Sequence, residues 1–194
     1  MTATRIPRLV LFVLTSWTHP MAVEAAPGRT PSRGAVGEPA PWFLAATQNP
    51  ERCGISRVDL GRWVGDRAEA RRPVALSFAA SDCRPCWREL AALRDRAAQL
   101  EALGAALVVV VMDVTAEGQA RMLEGLNAMN LSFPVIFDAP GLPLARSYGV
   151  SSLPHLVVVA RDGTIQWTRE GYRGEESLDA LWTALEGGRF VNAP

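Results

Sequence analysis

The sequence predicts an α/β fold: a mixed central β-sheet with helices on both faces and an N-terminal β extension. Continuously apolar runs, typical of strands covered on both faces, alternate along the chain with segments of helical periodicity. The last two apolar runs are joined at Asp162-Gly163, a hairpin signal because glycine supplies positive φ. The composition agrees, since 48% of the 194 residues are hydrophobic and 21% are charged, as in globular chains.

Local patterns assign each element of this fold in chain order. The predicted elements are strands at 42–46, 56–60 and 74–79, a helix at 85–103, a strand at 106–112, a helix at 116–129, a strand at 134–138, a helix at 142–148, strands at 156–160 and 164–169, and a helix at 176–186. Asn49-Pro50 and Gly54 indicate the turn between the first two strands. The first long helix has its leucines on one face and a stop signal at Gly104. The last helix ends at Gly187-Gly188.

Outside this domain, predicted to span 41–190, the N-terminus has the pattern of an export signal. Arg5 and Arg8 precede nine apolar residues at 9–17, and small residues favour cleavage after Ala25, so 1–25 is predicted to be a signal peptide. An uncleaved membrane anchor is the alternative. Residues 26–40 are rich in Pro, Gly, Ala and Ser and are predicted to form a flexible linker. Export places the cysteines in an oxidising compartment.

Composition excludes several classes of function. The 20 basic and 20 acidic residues balance, so nothing favours a nucleic acid as partner. Every basic residue is arginine, which excludes a Schiff-base or P-loop lysine. With two histidines in the chain, His19 and His155, a multi-histidine metal site is excluded as well.

The chemistry is predicted at Cys83 and Cys86, which follow a buried strand and open a helix. Two cysteines at this spacing can close a small disulfide ring and open it again. The N-H groups and partial positive charge of a helix start stabilise a thiolate, so the pKa of Cys83 should be lowered. Pro85 suits the first turn, where no intrahelical bond is lost. A structural disulfide is a weaker interpretation because so short a loop constrains the unfolded chain little.

The position of each side chain on this helix suggests its role. Cys83 precedes the helix and is predicted to be the accessible nucleophile, while Cys86 is more buried and resolves the mixed disulfide. Glu89 lies on the same helical face as Cys86 and could carry its proton during resolution. By default, however, a carboxylate on a helix is expected to be solvated.

These stretches resemble the thioredoxin superfamily, and most of all exported thiol–disulfide oxidoreductases of the TlpA/ResA/DsbE type. The matching segments are VALSFAASDCRPCWREL at 74–90, a stretch at 133–165 and, more weakly, APWFLAA at 40–46. The resemblance implies that Pro154 is a cis-proline facing the cysteines, and that Leu153 and Pro154 bind an extended substrate strand. It also implies that no cofactor is needed and that the substrates are protein disulfides or dithiols.

Three residues depart from the family pattern, and a third cysteine is left over. Asp82 replaces the aromatic residue usual before the first cysteine. His155 stands where a small hydroxyl residue is common, and it is expected to be hydrogen-bonded or half exposed. Ser77 takes the place of the buried acid of cytoplasmic thioredoxins, which leaves Glu89 as the nearer proton carrier. Cys53 is expected to be a half-buried small residue, and a reactive thiol or an intermolecular disulfide is the alternative.

The predicted function is therefore an exported enzyme that exchanges disulfides with proteins. The resemblance suggests a reductant of exported disulfides, for example those of apocytochromes c, recharged by a membrane-bound thiol donor. An alternative is a copper-binding module that uses Cys83, Cys86 and His155, because soft thiolates suit Cu(I). A peroxidase of the peroxiredoxin type shares the broad fold but normally carries its reactive cysteine in a different motif.

Overall fold

The predicted mixed sheet forms the centre of the molecule in a computed structural model that describes residues 34–187. The strands of this part of the chain are β1 (Leu44–Ala46), β2 (Arg57–Asp59), β3 (Val74–Ala79), β4 (Ala106–Val111), β5 (Val135–Phe137), β6 (His155–Val159) and β7 (Ile165–Glu170). Its helices are α1 (Pro50–Cys53), α2 (Leu60–Trp63), α3 (Arg84–Asp95), α4 (Ala97–Ala102), α5 (Ala116–Ala128), α6 (Pro143–Ser147) and α7 (Asp179–Leu185), with a 3₁₀ turn at Glu175–Leu178. The predicted signal peptide lies outside the described residues.

Five strands form the central sheet in the order β5-β4-β3-β6-β7, and β1 and β2 form a separate antiparallel pair. β3 runs parallel to β4, and β4 to β5, whereas β6 is antiparallel to both β3 and β7. Both β3 and β4 are buried along their whole length, as their continuous apolar sequences predicted. The mixed sheet and the N-terminal β extension are thus confirmed.

Helices cover both faces of this sheet, as predicted. One face carries α3, α4, α5 and α7, whose buried side chains pack with alternate residues of the central strands such as Ala75, Ala79 and Val109. The other face carries α2, α6 and the β1–β2 pair, which pack with Leu76, Phe78 and their neighbours. Because successive strand residues point to opposite faces, a residue's position along β3 decides which helices it contacts.

Two local predictions need correction. The single helix predicted at 85–103 is broken at Arg96, which has φ −106° and ψ 18°, so that α3 and α4 are separate helices. The Arg96 guanidinium contacts Glu175 at 2.9 Å, a tertiary contact that the local sequence does not predict. The end of the predicted flexible linker is also bound to the domain: the Gly37 N–H donates to the Ile165 carbonyl at 2.8 Å, and the Ala40 N–H donates to the Gly163 carbonyl at 2.9 Å.

The strand register brings the chemically interesting segments to one end of the sheet. Phe78, near the end of β3, pairs with His155, the first residue of β6. The loop that carries Cys83 leaves β3 at this end, and Pro154 enters β6 there. Within residues 34–187, no helix combines the length and the apolar character needed to cross a membrane.

Candidate active site

Cys83 and Cys86 form a disulfide at the beginning of α3, with 5.3 Å between their Cα atoms. Cys83 is the N-cap residue, and its Sγ accepts a hydrogen bond from the Cys86 N–H at 3.2 Å. Cys86 is completely buried, whereas Cys83 is half-buried. The sulfur at the helix start is therefore the more accessible of the two, and it already sits against a backbone donor that can stabilise a thiolate once the bond is opened.

The loop before Cys83 is anchored to the end of β4 by Asp113. The Ser81 N–H and hydroxyl donate to the Asp113 carboxylate at 2.8 and 2.6 Å, and the indole N–H of Trp87 donates to the Ser81 carbonyl at 3.0 Å. Asp113 therefore anchors this loop, whereas α5 is capped by Thr115, whose hydroxyl accepts from the Gly118 N–H at 3.1 Å.

The Trp87 ring fixes the distance between α3 and α5. A Cβ atom added to Gly125 would lie 2.4 Å from the Trp87 ring, closer than side chains approach one another. Only a glycine lets the indole lie against the backbone of α5 at this point. The packing holds the first turn of α3 in place.

Glu89 is fully buried, which corrects the expectation of a solvated carboxylate. Its Oε1 accepts from the Ser77 hydroxyl at 3.1 Å, and its Oε2 accepts from the Arg169 guanidinium. Burial raises the pKa of Glu89 to about 7, although Arg169 and Ser77 both favour the charged form and act in the opposite direction. A carboxyl group with such a pKa can gain or lose a proton near neutral pH.

Leu153 and Pro154 lie at the same end of the sheet, and the peptide bond between them is cis, as the resemblance implied. Leu153 packs against the buried cluster around Cys86 and Leu90, against which Cys83 and Trp87 also pack. The Pro154 carbonyl accepts from the Gly171 N–H at 2.7 Å. Among residues 34–187, no backbone partner binds the N–H or the carbonyl of Leu153.

His155 does not join the cysteines. Its ring packs edge-on against Phe78, with 6.2 Å between centroids, whereas Ser77 and Glu89 meet on the other face of the sheet. His155 is buried, and neither ring nitrogen has a hydrogen-bond partner in the described part of the chain, so the expectation of a hydrogen-bonded or half-exposed ring is wrong. The described residues contain no group of three or more His, Cys, Asp or Glu side chains that could hold a metal.

Sequence reasoning missed Arg169 and the loop anchor Asp113, and it placed Cys53 well. Cys53 is half-buried, as expected, and its Sγ lies 3.3 Å from the Ile55 carbonyl. Trp167 and Arg169 are two residues apart on β7, so their side chains point to the same face of the sheet. The sequence around them does not show that Glu89 lies on that face.

The comparisons with known proteins agree with this geometry. A model of the AhpC/TSA family matches residues 36–168. No relative is found among curated proteins. The chain is similar in structure to a Chlorobium tepidum protein assigned as a thiol:disulfide interchange protein DsbE, with 26% identity and a TM-score of 0.65 over 79% of this chain and 99% of that one.

Two further solved structures are more distant and show the fold alone. One is a secreted Mycobacterium tuberculosis disulfide oxidoreductase homologous to Escherichia coli DsbE, with 22% identity, a TM-score of 0.57 and coverage of 74% of this chain and 96% of that one. The other is StoA from Bacillus subtilis, with 22% identity, a TM-score of 0.58 and coverage of 74% and 97%. The thioredoxin-like resemblance of the TlpA/ResA/DsbE type is confirmed.

Proposed function

The chain belongs to the AhpC/TSA family and is a thioredoxin-like thiol–disulfide oxidoreductase, and from that premise we propose that Cys83 and Cys86 are its reacting groups. One observation carries the assignment: the two cysteines are bonded at the start of α3, with Cys83 half-buried and Cys86 buried. A pair with one accessible and one protected sulfur suits a reaction in which one thiol attacks and the other resolves.

In the reductive direction, the Cys83 thiolate attacks one sulfur of a substrate disulfide. The S–S bond of the substrate breaks, its other sulfur leaves as a thiolate, and Cys83 is joined to the substrate. The Cys86 thiolate then attacks Cys83, which releases the second substrate thiolate and leaves the Cys83–Cys86 disulfide. Two electrons pass to the substrate, and two protons are taken up by its thiolates. The two sulfurs are the redox group, so the step uses no further cofactor.

Glu89 is proposed to take the proton of Cys86 before resolution. A buried thiol loses its proton reluctantly, and a base must be close to it. Glu89 follows Cys86 by three residues on α3, is buried with it, and has a pKa that burial raises to about 7. A carboxylate of this basicity is far better suited to accept a thiol proton than an ordinary exposed one.

Leu153 and Pro154 are proposed to line the substrate groove. The Leu153 N–H and carbonyl, which make no backbone hydrogen bond within residues 34–187, can pair with an extended substrate segment in the manner of an added strand. Pro154 has no N–H, so it presents no competing donor beside the sulfurs. The substrates are accordingly proposed to be proteins with an accessible disulfide or dithiol.

We further propose that the protein is exported and acts as a reductant there, recharged by a membrane-bound thiol donor. The charged start, apolar stretch and small residues of 1–25 support export. Disulfides of apocytochromes c are one class of substrate that the TlpA/ResA/DsbE resemblance suggests. Mass spectrometry of the protein recovered from cells should find an N-terminus at Ala26, and an intact Met1 would oppose cleavage.

The activity is tested by reduction and by trapping. The reduced protein should reduce insulin disulfides, and Cys83→Ala should abolish this. Cys86→Ala should hold its substrates as mixed disulfides on Cys83, because no resolving thiol remains, and mass spectrometry identifies them. Cys53→Ser is the matched control and should behave like the wild type. The proposal would be contradicted if the wild type failed to reduce insulin and the Cys86→Ala variant formed no mixed disulfide.

The same protein preparation tests the peroxidase alternative. Peroxide reduction would oxidise Cys83 to a sulfenic acid before any disulfide forms. Cys86 already lies within bonding range of Cys83, so the observed pairing favours disulfide exchange. The peroxidase would be favoured if peroxide rapidly produced a sulfenic acid at Cys83 of the Cys86→Ala variant, detected by a sulfenic-acid label, while the wild type failed to reduce insulin.

A further inference from the structure

Glu89 is held by a cation that reaches it from the far edge of the sheet. Arg169 lies on β7, 80 residues from Glu89 along the chain, and its guanidinium contacts the Glu89 carboxylate. The Arg169 side chain is 16% exposed and the Glu89 side chain 0%. An arginine that is buried against a carboxylate is costly unless the pair is well hydrogen-bonded, so its presence calls for an explanation.

The strand register explains how the two partners of Glu89 come to the same place. Ser77 of β3 pairs with Leu156 of β6, and Leu156 pairs with Arg169 of β7. Side chains that are paired across neighbouring strands point to the same face, so Ser77 and Arg169 flank Leu156 beneath α3. On the other side of Ser77 the row continues with Val109 and Val135. Ser77 and Arg169 are the polar members of an otherwise apolar row, and both bind Glu89.

The rest of the Arg169 side chain is fixed by contacts that leave it little freedom. One terminal nitrogen donates to the Ser177 carbonyl while the other contacts Glu89. The guanidinium carbon lies 5.9 Å from the ring centroids of both Trp167 and Tyr172. The planar guanidinium is therefore held by contacts on two sides, and it aims one nitrogen at the carboxylate.

We propose that Arg169 is a positioning residue for the resolving step, which holds the Glu89 carboxylate one helical turn from Cys86 and keeps it in the charged form that accepts the Cys86 proton. The inference rests on the proposed function of Cys83, Cys86 and Glu89. In the mixed disulfide, the Cys86 thiol gives its proton to Glu89, and the resulting thiolate breaks the bond between Cys83 and the substrate. Glu89 afterwards returns the proton to solvent or to the departing substrate thiolate.

Without Arg169, the same burial would act on Glu89 with less opposition. Burial raises the pKa of Glu89, and the Arg169 charge is the largest of the three influences that lower it, ahead of the hydrogen bonds from Ser77 and Arg169. Other groups face this cluster: Tyr172, whose pKa is raised by burial and by nearby carboxylates, and the Arg96–Glu175 pair, whose atoms lie 2.9 Å apart. Arg96 also lies 3.9 Å from Asp179. Within residues 34–187, Arg169 is the cation that contacts the Glu89 carboxylate, so it is the cation that controls Glu89.

The test is the pH dependence of resolution in Arg169→Gln. A mixed disulfide between Cys83 and a chromogenic thiol is formed, and the rate at which Cys86 releases that thiol is measured from pH 5 to 9. The acid limb of the wild-type profile should move up by about 1–3 pH units in the variant, the range by which a neighbouring opposite charge shifts a carboxyl group. Below the limb, the rate should fall roughly tenfold for each unit of that shift. Arg173→Gln, which removes an exposed arginine nearby, is the control and should leave the profile unchanged.

A double variant separates positioning from general disturbance of the fold. In the Glu89→Gln background, Arg169→Gln should cause no further shift, because the group through which it acts is gone. Arg169→Lys keeps the charge without the planar fork, so the acid limb of its profile should lie between those of the wild type and Arg169→Gln. Arg169→Lys also replaces Arg169→Gln in this test if Arg169→Gln does not fold. An unshifted limb in whichever variant folds overturns the inference, as does a shift that persists without Glu89. Failure of the wild type to release the thiol would instead count against the proposed function.

Discussion

Two buried titratable side chains lie at the same end of the sheet and face opposite ways. Glu89 is on the α3 face, where Ser77 and Arg169 bind both its oxygens. His155 is on the other face, with no hydrogen bond to its ring and the Glu170 carboxylate 3.9 Å from its Nδ1. Burial opposes the charged form in both, so it raises the pKa of Glu89 to about 7 and lowers the pKa of His155.

This difference decides which of the two can serve the chemistry. Near neutral pH, Glu89 exchanges a proton, whereas His155 stays uncharged. A group that takes up and releases protons under working conditions is useful beside a thiol. The His155 imidazole, whose pKa is lowered by burial, packs on Phe78 as a core residue. The spacing of Glu89 from Cys86 suggested its role, but the sequence did not predict that Glu89 and His155 are both buried.

The largest effect should come from Glu89→Gln. Removing a general base typically costs about 100-fold or more in the step that it assists. The release rate of the chromogenic thiol at pH 7 should therefore fall by about 100-fold, while attack by Cys83 on a small disulfide stays near the wild-type rate. Stopped-flow measurement of both steps checks this. Equal slowing of the two steps would show that Glu89 acts on the fold and not on Cys86.

The stability of the oxidised protein should respond to pH in opposite directions through the two groups. The Glu89 pKa is about 7 when folded and 4.5 ordinarily, so its contribution to the free energy of unfolding is complete below pH 4.5 and is lost as the pH rises to about 7. The loss is on the order of 3 kcal/mol for this shift. Urea unfolding from pH 4.5 to 8 should show this slope in the wild type and lose it in Glu89→Gln. An unchanged slope in the variant would assign it to another group.

A smaller effect, of opposite sign, should follow from His155→Leu. Because the pKa of His155 is lowered, the unfolded chain binds the proton more readily, and the wild type loses stability as the pH falls below about 6.5. The variant removes two unpartnered buried nitrogens, so at pH 7 it should be within about 1 kcal/mol of the wild type or more stable. At pH 5 the free energy of unfolding of His155→Leu should be higher, relative to that of the wild type, than it is at pH 7. A large loss at pH 7 would mean that the imidazole has a partner.

The smallest effect concerns copper. If reduced Cys83 and Cys86 bind Cu(I), His155→Leu should leave the affinity unchanged, because the imidazole lies on the other face of the sheet. Competition with a chromogenic Cu(I) chelator measures this directly. Weaker binding in the variant would restore the copper-binding alternative.

The sequence was sufficient to predict those features that depend on residues close together in the chain. A strand followed by a helix start with cysteines three residues apart fixed the placement, pairing and relative exposure of Cys83 and Cys86. The apolar runs of β3 and β4 likewise predicted buried strands. These predictions rest on patterns within a few neighbouring residues, and the tertiary contacts of the folded chain agree with them.

Prediction from the sequence failed where a contact depends on the register of strands that are distant along the chain. The burial of Glu89 follows from α3 lying over Ser77 and from the pairing of Leu156 with Arg169, and neither is visible in the residues around Glu89. The sequence also gives no sign of the break at Arg96, whose guanidinium contacts Glu175, 79 residues away along the chain. Local periodicity continues through both places.

The most direct test of the central claim is competitive alkylation of the reduced protein in a Cys53→Ser background. Iodoacetamide is applied at limiting concentration near pH 6, and the modified cysteine is identified by mass spectrometry. Because Cys83 caps α3 and is half-buried while Cys86 is buried, Cys83 should be modified first and Cys86 should remain free. Preferential modification of Cys86, or equal modification of both, would contradict the assignment of Cys83 as the reacting thiol.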